Sequence, residues 1–275
     1  MKFEELDKKL RYFETVNDLC ALPGLPLVAR IDGRGFTKLT KERHQFEAPY
    51  DERFRDHMTG TTAHLMDCGF RIIYGYTQSD EISLVFHRDE DSFGRKLRKL
   101  NSILAGEASA RFSLLLGDVG VFDCRIIQLP TRQDLVDYLR WRNEDAHRNA
   151  LNAHCYWALR RKGAGVAGAT ASLKGLSVAM KNELLFSEAG INFNDVPNWQ
   201  KRGIGIYHVA VEKTGVNQIT GQATQTIRRR LHVDFDLPMR DGYSGFIESL
   251  IDRAWGDVTP PLDSSPADGG VDPSH

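Results

Sequence analysis

Phe70-Arg71-Ile72-Ile73-Tyr74-Gly75-Tyr76-Thr77-Gln78-Ser79-Asp80-Glu81-Ile82-Ser83-Leu84-Val85-Phe86 is the stretch on which the fold depends. Two runs rich in aromatic and β-branched residues, Phe70 to Tyr76 and Ile82 to Phe86, enclose the polar turn formers Thr77 to Glu81, the pattern of a β-hairpin. Its turn carries two carboxylates, Asp80 and Glu81. Upstream, Leu27 to Ile31 is a short apolar run between Pro26 and the glycines Gly33 and Gly35. It reads as a buried strand ending in a glycine loop, with Asp32 at its exit. Between the two, Phe54, Met58, Leu65 and Met66 fall at helical spacing, with Pro49 placed to begin a helix and Gly69 to end it. Downstream, Phe93, Leu97, Leu100, Leu104, Ala108, Phe112 and Leu115 mark a long amphipathic helix with Arg95, Arg98 and Lys99 outside. Phe122 to Leu129 is a further strand, stopped by Pro130.

The order strand, helix, strand, strand, helix, strand predicts an α+β fold, a ferredoxin-like (split βαβ) palm whose first and third strands adjoin at the sheet's centre. The exit of the first strand then meets the entry of the third. Asp32 and Asp80 are expected to face each other across one strand spacing, roughly 5 Å.

After Pro130 the character changes. Thr131 caps a helix through Arg142, a His/Asn-rich helix follows from Asn143 to Lys162, and Gly163 to Gly175 reads as a Gly/Ala/Ser loop. Ser177 to Ala189 is a helix closed by Gly190, and the strand-like runs Ile204 to Val211 and Ile227 to Phe235 complete the ordered chain. The organisation expected is a catalytic core over residues 1–130, a mostly helical region with a short β-hairpin over 131–259 docked on it, and a disordered tail over 260–275. The tail is rich in Pro, Asp, Ser and Gly and has too little apolar surface to offset its ordering entropy.

Two carboxylates at that separation repel each other unless cations lie between them. Magnesium takes one or two carboxylates plus substrate phosphates, and a pair of such ions suits phosphoryl or nucleotidyl transfer. The loop Asp32-Gly33-Arg34-Gly35-Phe36-Thr37 fits the same chemistry, because glycines let backbone N–H groups approach a triphosphate and Arg34, Lys38 and Lys41 add charge. Alone, this loop reads as a tight turn and Asp80-Glu81 as a hydrogen-bonding turn. Their conjunction on one split βαβ order points to a two-metal site.

Composition limits the alternatives. No apolar run approaches the roughly 18 residues needed to cross a bilayer, and Met1 to Leu10 mixes acids and bases, so a cytoplasmic protein with no membrane partner is expected. The four cysteines, Cys20, Cys68, Cys124 and Cys155, form no CxxC pair and read as small core residues. With 36 Lys plus Arg against 37 Asp plus Glu, a polyanion has to be met by local clusters. The candidates are Arg95 to Lys99, Arg160 to Lys162 and Arg228-Arg229-Arg230, each of which taken singly reads as a solvated face.

Four strings in order, Arg30-Ile31-Asp32-Gly33-Arg34-Gly35-Phe36, Tyr74 to Ser83, Lys181 to Glu188 and Ile191-Asn192-Phe193-Asn194, closely resemble motifs of the tRNA-histidine guanylyltransferase family. The resemblance spans about residues 3 to 235. It implies a polymerase-like palm that extends tRNA in the 3′-to-5′ direction after activating its 5′ end with ATP or GTP. By motif match Asp32, the Gly33 carbonyl and Asp80 would hold two Mg²⁺, with Glu81 supporting the metal site. Gly33 to Thr37 and Ser79 would cradle the triphosphate. His147 and Lys181 would bind the activating nucleotide's phosphates or the tRNA 5′ end, with Asn192 near them, and Arg228 to Arg230 are the expected tRNA patch. A homotetramer is also implied.

One string departs. Eukaryotic members carry His-Ile-Asn-Asn-Leu-Tyr-Asn where this chain reads His147-Arg148-Asn149-Ala150-Leu151-Asn152-Ala153. It resembles the bacterial and archaeal guanylyltransferase-like members, for which the implied task is templated repair of truncated tRNA 5′ ends. Outside the resemblance, His147 reads as a helix histidine, and Trp141, Tyr156 and Trp157 as packing residues. Two rival functions follow from the residues: a two-metal nucleotide cyclase, which has no use for the basic clusters, and an RNA-binding module using the sheet as a stacking platform, which has no use for acidic strand ends.

Overall fold

In the computed structural model the described residues are 2–216 and 223–256, with side chains described except at 213–216 and 223–225. The expected tail over 260–275 lies outside them. The elements in chain order are α1 (Phe3–Thr15), β1 (Leu27–Gly33), α2 (Phe36–Lys38), α3 (Glu52–Leu65), β2 (Ile72–Gln78), β3 (Glu81–Phe86), α4 (Leu97–Leu116), β4 (Phe122–Gln128), α5 (Arg132–Arg161), α6 (Val166–Leu173), α7 (Val178–Ala189), α8 (Asn198–Arg202), β5 (Ile204–Val216), β6 (Ala223–Asp234) and α9 (Asp241–Trp255).

The six strands form one sheet of order β4-β1-β3-β2-β5-β6. Its first four are the split βαβ order, with β1 antiparallel to β3 and Asp32 opposite Glu81. The hairpin turn is tighter than the polar run suggests: Gln78 pairs with Glu81, leaving only Ser79 and Asp80 in the loop. The β5–β6 hairpin is longer than its apolar runs and continues the palm sheet through Gly75–Ile206 pairing, rather than standing apart.

Strand alternation divides the core. On one face Ile31, Ile82, Leu84 and Ile206 pack with Met58 and Leu65 of α3 and Leu104, Ala108 and Phe112 of α4. On the other, Val28, Tyr74, Tyr76 and Val85 pack with Leu135 and Leu139 of α5 and Ile247 and Ile251 of α9. A third cluster joins α5 to α6 and α7 through Leu151, Cys155, Leu173 and Leu185.

Several expectations are corrected. Thr131 does cap a helix, accepting from the Asp134 N–H at 3.1 Å, but α5 runs unbroken for 30 residues where two helices were expected. Residues 132–161 contain neither Gly nor Pro. Arg142 and Asn143, which interrupt the apolar stripe like a boundary, are buried because polar partners meet them. Within the expected Gly/Ala/Ser loop, Ala-rich α6 forms and buries Ala169 and Leu173. Helix α9 follows the strands that were to end the ordered chain. Helix α4 begins at Leu97 rather than Phe93, so Arg95 precedes it and is buried, donating to the Leu25 carbonyl at 3.0 Å. Of the four free cysteines only Cys155 is buried, and Cys20 is exposed.

Candidate active site at the β1–β3 junction

Asp32 and Asp80 meet where β1 ends and β3 begins. The Gly33 N–H donates to the Asp80 carbonyl at 3.0 Å, and the Arg34 N–H to the Val121 carbonyl at 2.8 Å. Opposed antiparallel residues usually exchange two such bonds. Here the return bond to the Gly33 carbonyl is not made; the Asp80 N–H turns to its own carboxylate. The Gly33 carbonyl oxygen therefore sits beside Asp80 with acceptor capacity to spare. Ser79 holds the left-handed φ of 54°, sparsely populated for a non-glycine residue, and its Oγ donates to Asp80 Oδ1 at 3.1 Å.

Burial, then the neighbouring charges of Asp32 and Glu81, push the Asp80 carboxyl above the ordinary Asp value, against bonds from its own N–H and Ser79 that pull it down. A carboxylate so placed favours a cation beside it. No group of three or more His, Cys, Asp or Glu that could hold a metal occurs among the described residues. Two aspartates and a carbonyl are instead the donor set Mg²⁺ uses when substrate phosphates supply the remaining oxygens.

The glycine loop is shaped by packing. The Phe36 ring lies in the core, with centroids 5.0 Å from Phe112 and 4.9 Å from Phe122. It folds under Gly33 so closely that a Cβ there would be 2.5 Å from Phe36 Cδ2. Gly35 takes φ 73° to start α2. The amides of Gly33 and Arg34 are already engaged, so those from Gly35 to Thr37, at a helix start without internal acceptors, are the ones placed to meet a ligand. The Arg34 side chain is exposed.

Glu81 is held differently. Arg30 Nη2 donates to its Oε1, and Arg142 Nη2 of α5 donates to its Oε2 at 2.6 Å. With both oxygens taken by arginines, its carboxylate braces the strand start. Arg142 was not legible as a site residue, although a cation in the buried stripe with Leu135, Leu139, Ala146 and Ala150 was its signal.

A cleft of about 410 Å³ opens beside the junction between the segment after α2, the hairpin turn and α5, with Thr37, Lys41, Ser79, Asp80, Glu81, Arg142, Asn149 and Trp157 in its wall. Asp32 and Gly33 lie next to the cleft rather than in its lining. Lys41 Nζ stands 5.4 Å from the Trp157 ring centroid, so Trp157 is more than a packing residue.

The remaining expected residues lie elsewhere. His147 is on α5, its ring 5.2 Å from Phe193, which follows Asn192 directly in the chain. Its Nδ1 is buried without a hydrogen-bond partner, and burial, Lys201, Arg202 and Arg240 push its pKa down. Buried Lys201, which the sequence reading missed, donates to the Asn194 carbonyl at 2.7 Å. Lys181 Nζ donates to Asn152 Oδ1 at 3.0 Å, further along α5, and Asn192 Oδ1 accepts from the Asn194 N–H at 3.1 Å. Phe193 thus brings the segment that carries Asn192 against His147, while the Asn192 side chain is exposed and Lys181 lies about a turn and a half of helix away. Arg228, Arg229 and Arg230 are all exposed on β6. Leu231 and Val233 pack toward the α3–α4 side, so alternation puts Arg229 on that side and Arg228 and Arg230 on the other.

A split βαβ sheet with two aspartates at the junction of its central strands and a glycine turn beside them defines a polymerase-type palm of the nucleotidyltransferase class. Residues 7–130 match the family model for tRNA(His) guanylyltransferase, and residues 133–234 that for the Thg1 C terminal domain. The chain is 31% identical over 263 residues to the tRNA(His) guanylyltransferase of Neurospora crassa, covering 88% of each. It is 34% identical over 220 residues to the probable tRNA(His) guanylyltransferase of Mus musculus, covering 76% of this chain and 73% of that one. Among solved structures it is similar to a bacterial tRNA(His) guanylyltransferase (Thg1)-like protein in complex with GTP, with TM-score 0.67 and 25% identity over 90% of this chain and 99% of that one. It is also similar to tRNA(His) guanylyltransferase from Saccharomyces cerevisiae, with TM-score 0.66 and 28% identity over 71% and 91% of the two chains. The chain belongs to the tRNA(His) guanylyltransferase family.

Proposed function

We propose that the protein extends the 5′ end of tRNA in the 3′-to-5′ direction, after ATP or GTP activates that end, by attack of an incoming nucleotide's 3′-hydroxyl on the activated phosphate. The observation that carries this reading is the Asp32–Gly33–Asp80 junction, where two carboxylates and a spare carbonyl oxygen converge beside a nucleotide-sized cleft. Asp32, the Gly33 carbonyl and Asp80 would hold two Mg²⁺. Magnesium bound there supplies activation of the attacking hydroxyl and neutralisation of charge on the leaving group. The amides of Gly35 to Thr37 bind triphosphate oxygens, and the Ser79 hydroxyl joins them by turning its proton from Asp80 to the ligand. Arg30, Glu81 and Arg142 hold the strand start in register. His147, Lys181 and Asn192, with Lys201 and Arg202 behind His147, receive the activating nucleotide's phosphates or the tRNA 5′ end, supported by the cationic surroundings of His147.

In this division residues 1–130 supply the catalytic palm and 131–259 the activation wall and tRNA-binding surface. The departures within His147 to Ala153 support templated repair of truncated tRNAs as the principal reaction, with G addition to tRNA-His as the second. Self-association, in the homotetramer that the family resemblance implies, is supported by α1 only as far as its unburied apolar residues go, with Phe3 80% and Phe13 67% exposed. Among the described residues no helix is long and apolar enough to cross a membrane. Four free thiols favour a reducing, cytoplasmic setting.

The test is extension of a 5′-labelled tRNA lacking its first nucleotide, with Mg²⁺, ATP and each nucleoside triphosphate, comparing wild type with Asp80→Ala. Extension by wild type alone, using the nucleotide complementary to the acceptor strand, is the expected result. Extension that survives in the variant, or a cyclic product from GTP without RNA, overturns the reading.

A further inference from the structure

The sheet opens between two of its strands, far from the aspartates. β2 and β5 pair from Thr77–Ile204 to Gly75–Ile206, and there the ladder stops. Just beyond, the pairing of β2 with β3 shifts register between Ile72 and Tyr74, so Ile73 is the extra residue of a bulge. A cleft of about 300 Å³ fills the gap, walled by Ile73, His87, His208, Arg229, Leu250 and Arg253 among others. It lies at the other end of β3 from Asp80, roughly 20 Å away at about 3.3 Å per residue.

Four nitrogen-bearing side chains line this cleft and no carboxylate does. His87 is locked: its Nε2 donates to the Ala254 carbonyl at 2.7 Å and its Nδ1 accepts from the Asp89 N–H at 3.1 Å. Arg253 Nη1 donates to Ser249 Oγ at 2.8 Å, which uses one of its five N–H groups. His208 Nδ1 is buried with no hydrogen-bond partner, while its Nε2 is 3.8 Å from Asp67 outside the cleft. Among the described residues neither Arg229 nor Arg253 has a carboxylate within ion-pair distance.

We propose that this cleft binds a phosphate group, with the guanidinium groups of Arg229 and Arg253 as donors, His208 taking up a proton at Nδ1 in the bound state as the third, and Ile73, Val209 and Leu250 as the apolar wall for the attached sugar. A buried nitrogen without a partner and two arginines without counter-charges in one wall are satisfied together by an acceptor-rich anion. The volume sits at the small end of ligand pockets and suits a phosphate with one sugar rather than a nucleoside triphosphate. Burial and the Arg229 charge hold the His208 imidazole below its usual pKa, so an anion bound against it raises that value and gives a local signal.

The inference does not rest on the nucleotidyl-transfer reading, and the test is run in the Asp80→Ala background with chelator, so the two fail separately. Inorganic phosphate is titrated while the His208 ring resonances are followed by NMR, assigned with His208→Asn. A saturable shift, weakened at least tenfold in Arg229→Gln/Arg253→Gln and largely kept in Arg229→Lys/Arg253→Lys, is expected. No saturable shift, or one that the Gln substitutions leave unchanged, overturns the site. The source of the phosphate is then read from tRNA binding against salt. A slope lower by about 0.7 to 0.9 for each arginine lost places an RNA backbone phosphate there. An unchanged slope, with adenosine monophosphate producing the His208 shift, assigns a free phosphomonoester.

Discussion

Arg142 Nη2 of α5 donates to Glu81 Oε2 at 2.6 Å, tying the middle of the longest helix to the first residue of β3. The same carboxylate accepts from Arg30 of β1 through its other oxygen. Three elements distant in sequence therefore converge on the residue that follows Asp80, and an ion-pair triad braces the hairpin turn. A triad this enclosed is more sensitive to losing one member than its net contribution suggests, because the remaining charges are left without partners.

Arg142→Leu is accordingly expected to destabilise the protein by about 2 kcal/mol, below the range for a fully buried pair because Glu81 keeps Arg30. Urea unfolding of Arg142→Leu, Glu81→Gln and the double variant measures this. Additive losses would show that the two side chains are not coupled.

Asp80 gives a pH dependence of defined sign. Its carboxyl is held above the ordinary Asp range in the folded chain, so the metal-free folded protein binds a proton more tightly than the unfolded chain. Stability then falls as pH rises from the unfolded value through the raised folded one, and the penalty is fully present above the folded value. Asp80→Asn should lose this slope and be more stable than wild type at pH 7 in chelator, while losing activity by on the order of 10³-fold or more. Chemical unfolding at pH 4 and pH 7 checks it; a variant less stable than wild type at pH 7 contradicts it.

The two glycines of the loop are expected to respond unequally. Gly33→Ala drives a methyl group into Phe36, which is fixed among Phe54, Phe112 and Phe122, and should cost about 2 to 3 kcal/mol and displace the Gly33 carbonyl. Gly35→Ala meets nothing within 4 Å, so its cost is that of φ 73°, about 1 kcal/mol. Thermal melts and Mg²⁺-dependent turnover of both variants decide whether crowding or backbone conformation dominates.

The arginine cluster on β6 should act in two parts. Asp32, Glu81 and Arg30 project toward the α5 face of the sheet, which is also the side of Arg228 and Arg230. Arg228→Gln/Arg230→Gln is expected to weaken tRNA binding and lower its salt slope by about 1.4 to 1.8. Filter binding over a salt series measures it, and an unchanged slope would make these residues mere surface charge.

Much of this molecule was legible before any coordinates. Short apolar runs beside Asp32 and Asp80, and apolar residues at helical spacing between them, are local signals, and the element order they spell leaves few topologies. Adjacency of β1 and β3 followed from that order alone, and with it the meeting of Asp32 with the hairpin turn. Ser177 and Gly190 bounded α7 for equally local reasons, a side-chain cap and a left-handed C-terminal residue.

What only the tertiary structure decided were the places where a polar residue finds a distant partner. Arg142 and Asn143 look like a helix break until Glu81 and the Arg202 carbonyl meet them, and then α5 runs straight through. Arg95 looks solvated until the Leu25 carbonyl receives it, and Trp157 looks like packing until Lys41 stands over it. The β5–β6 hairpin likewise joined the palm sheet only because β2 had a free edge to offer at Tyr76 and Thr77. Periodicity records which side of an element is apolar, whereas the worth of a buried charge or an open strand edge depends on the group that chain folding brings opposite it.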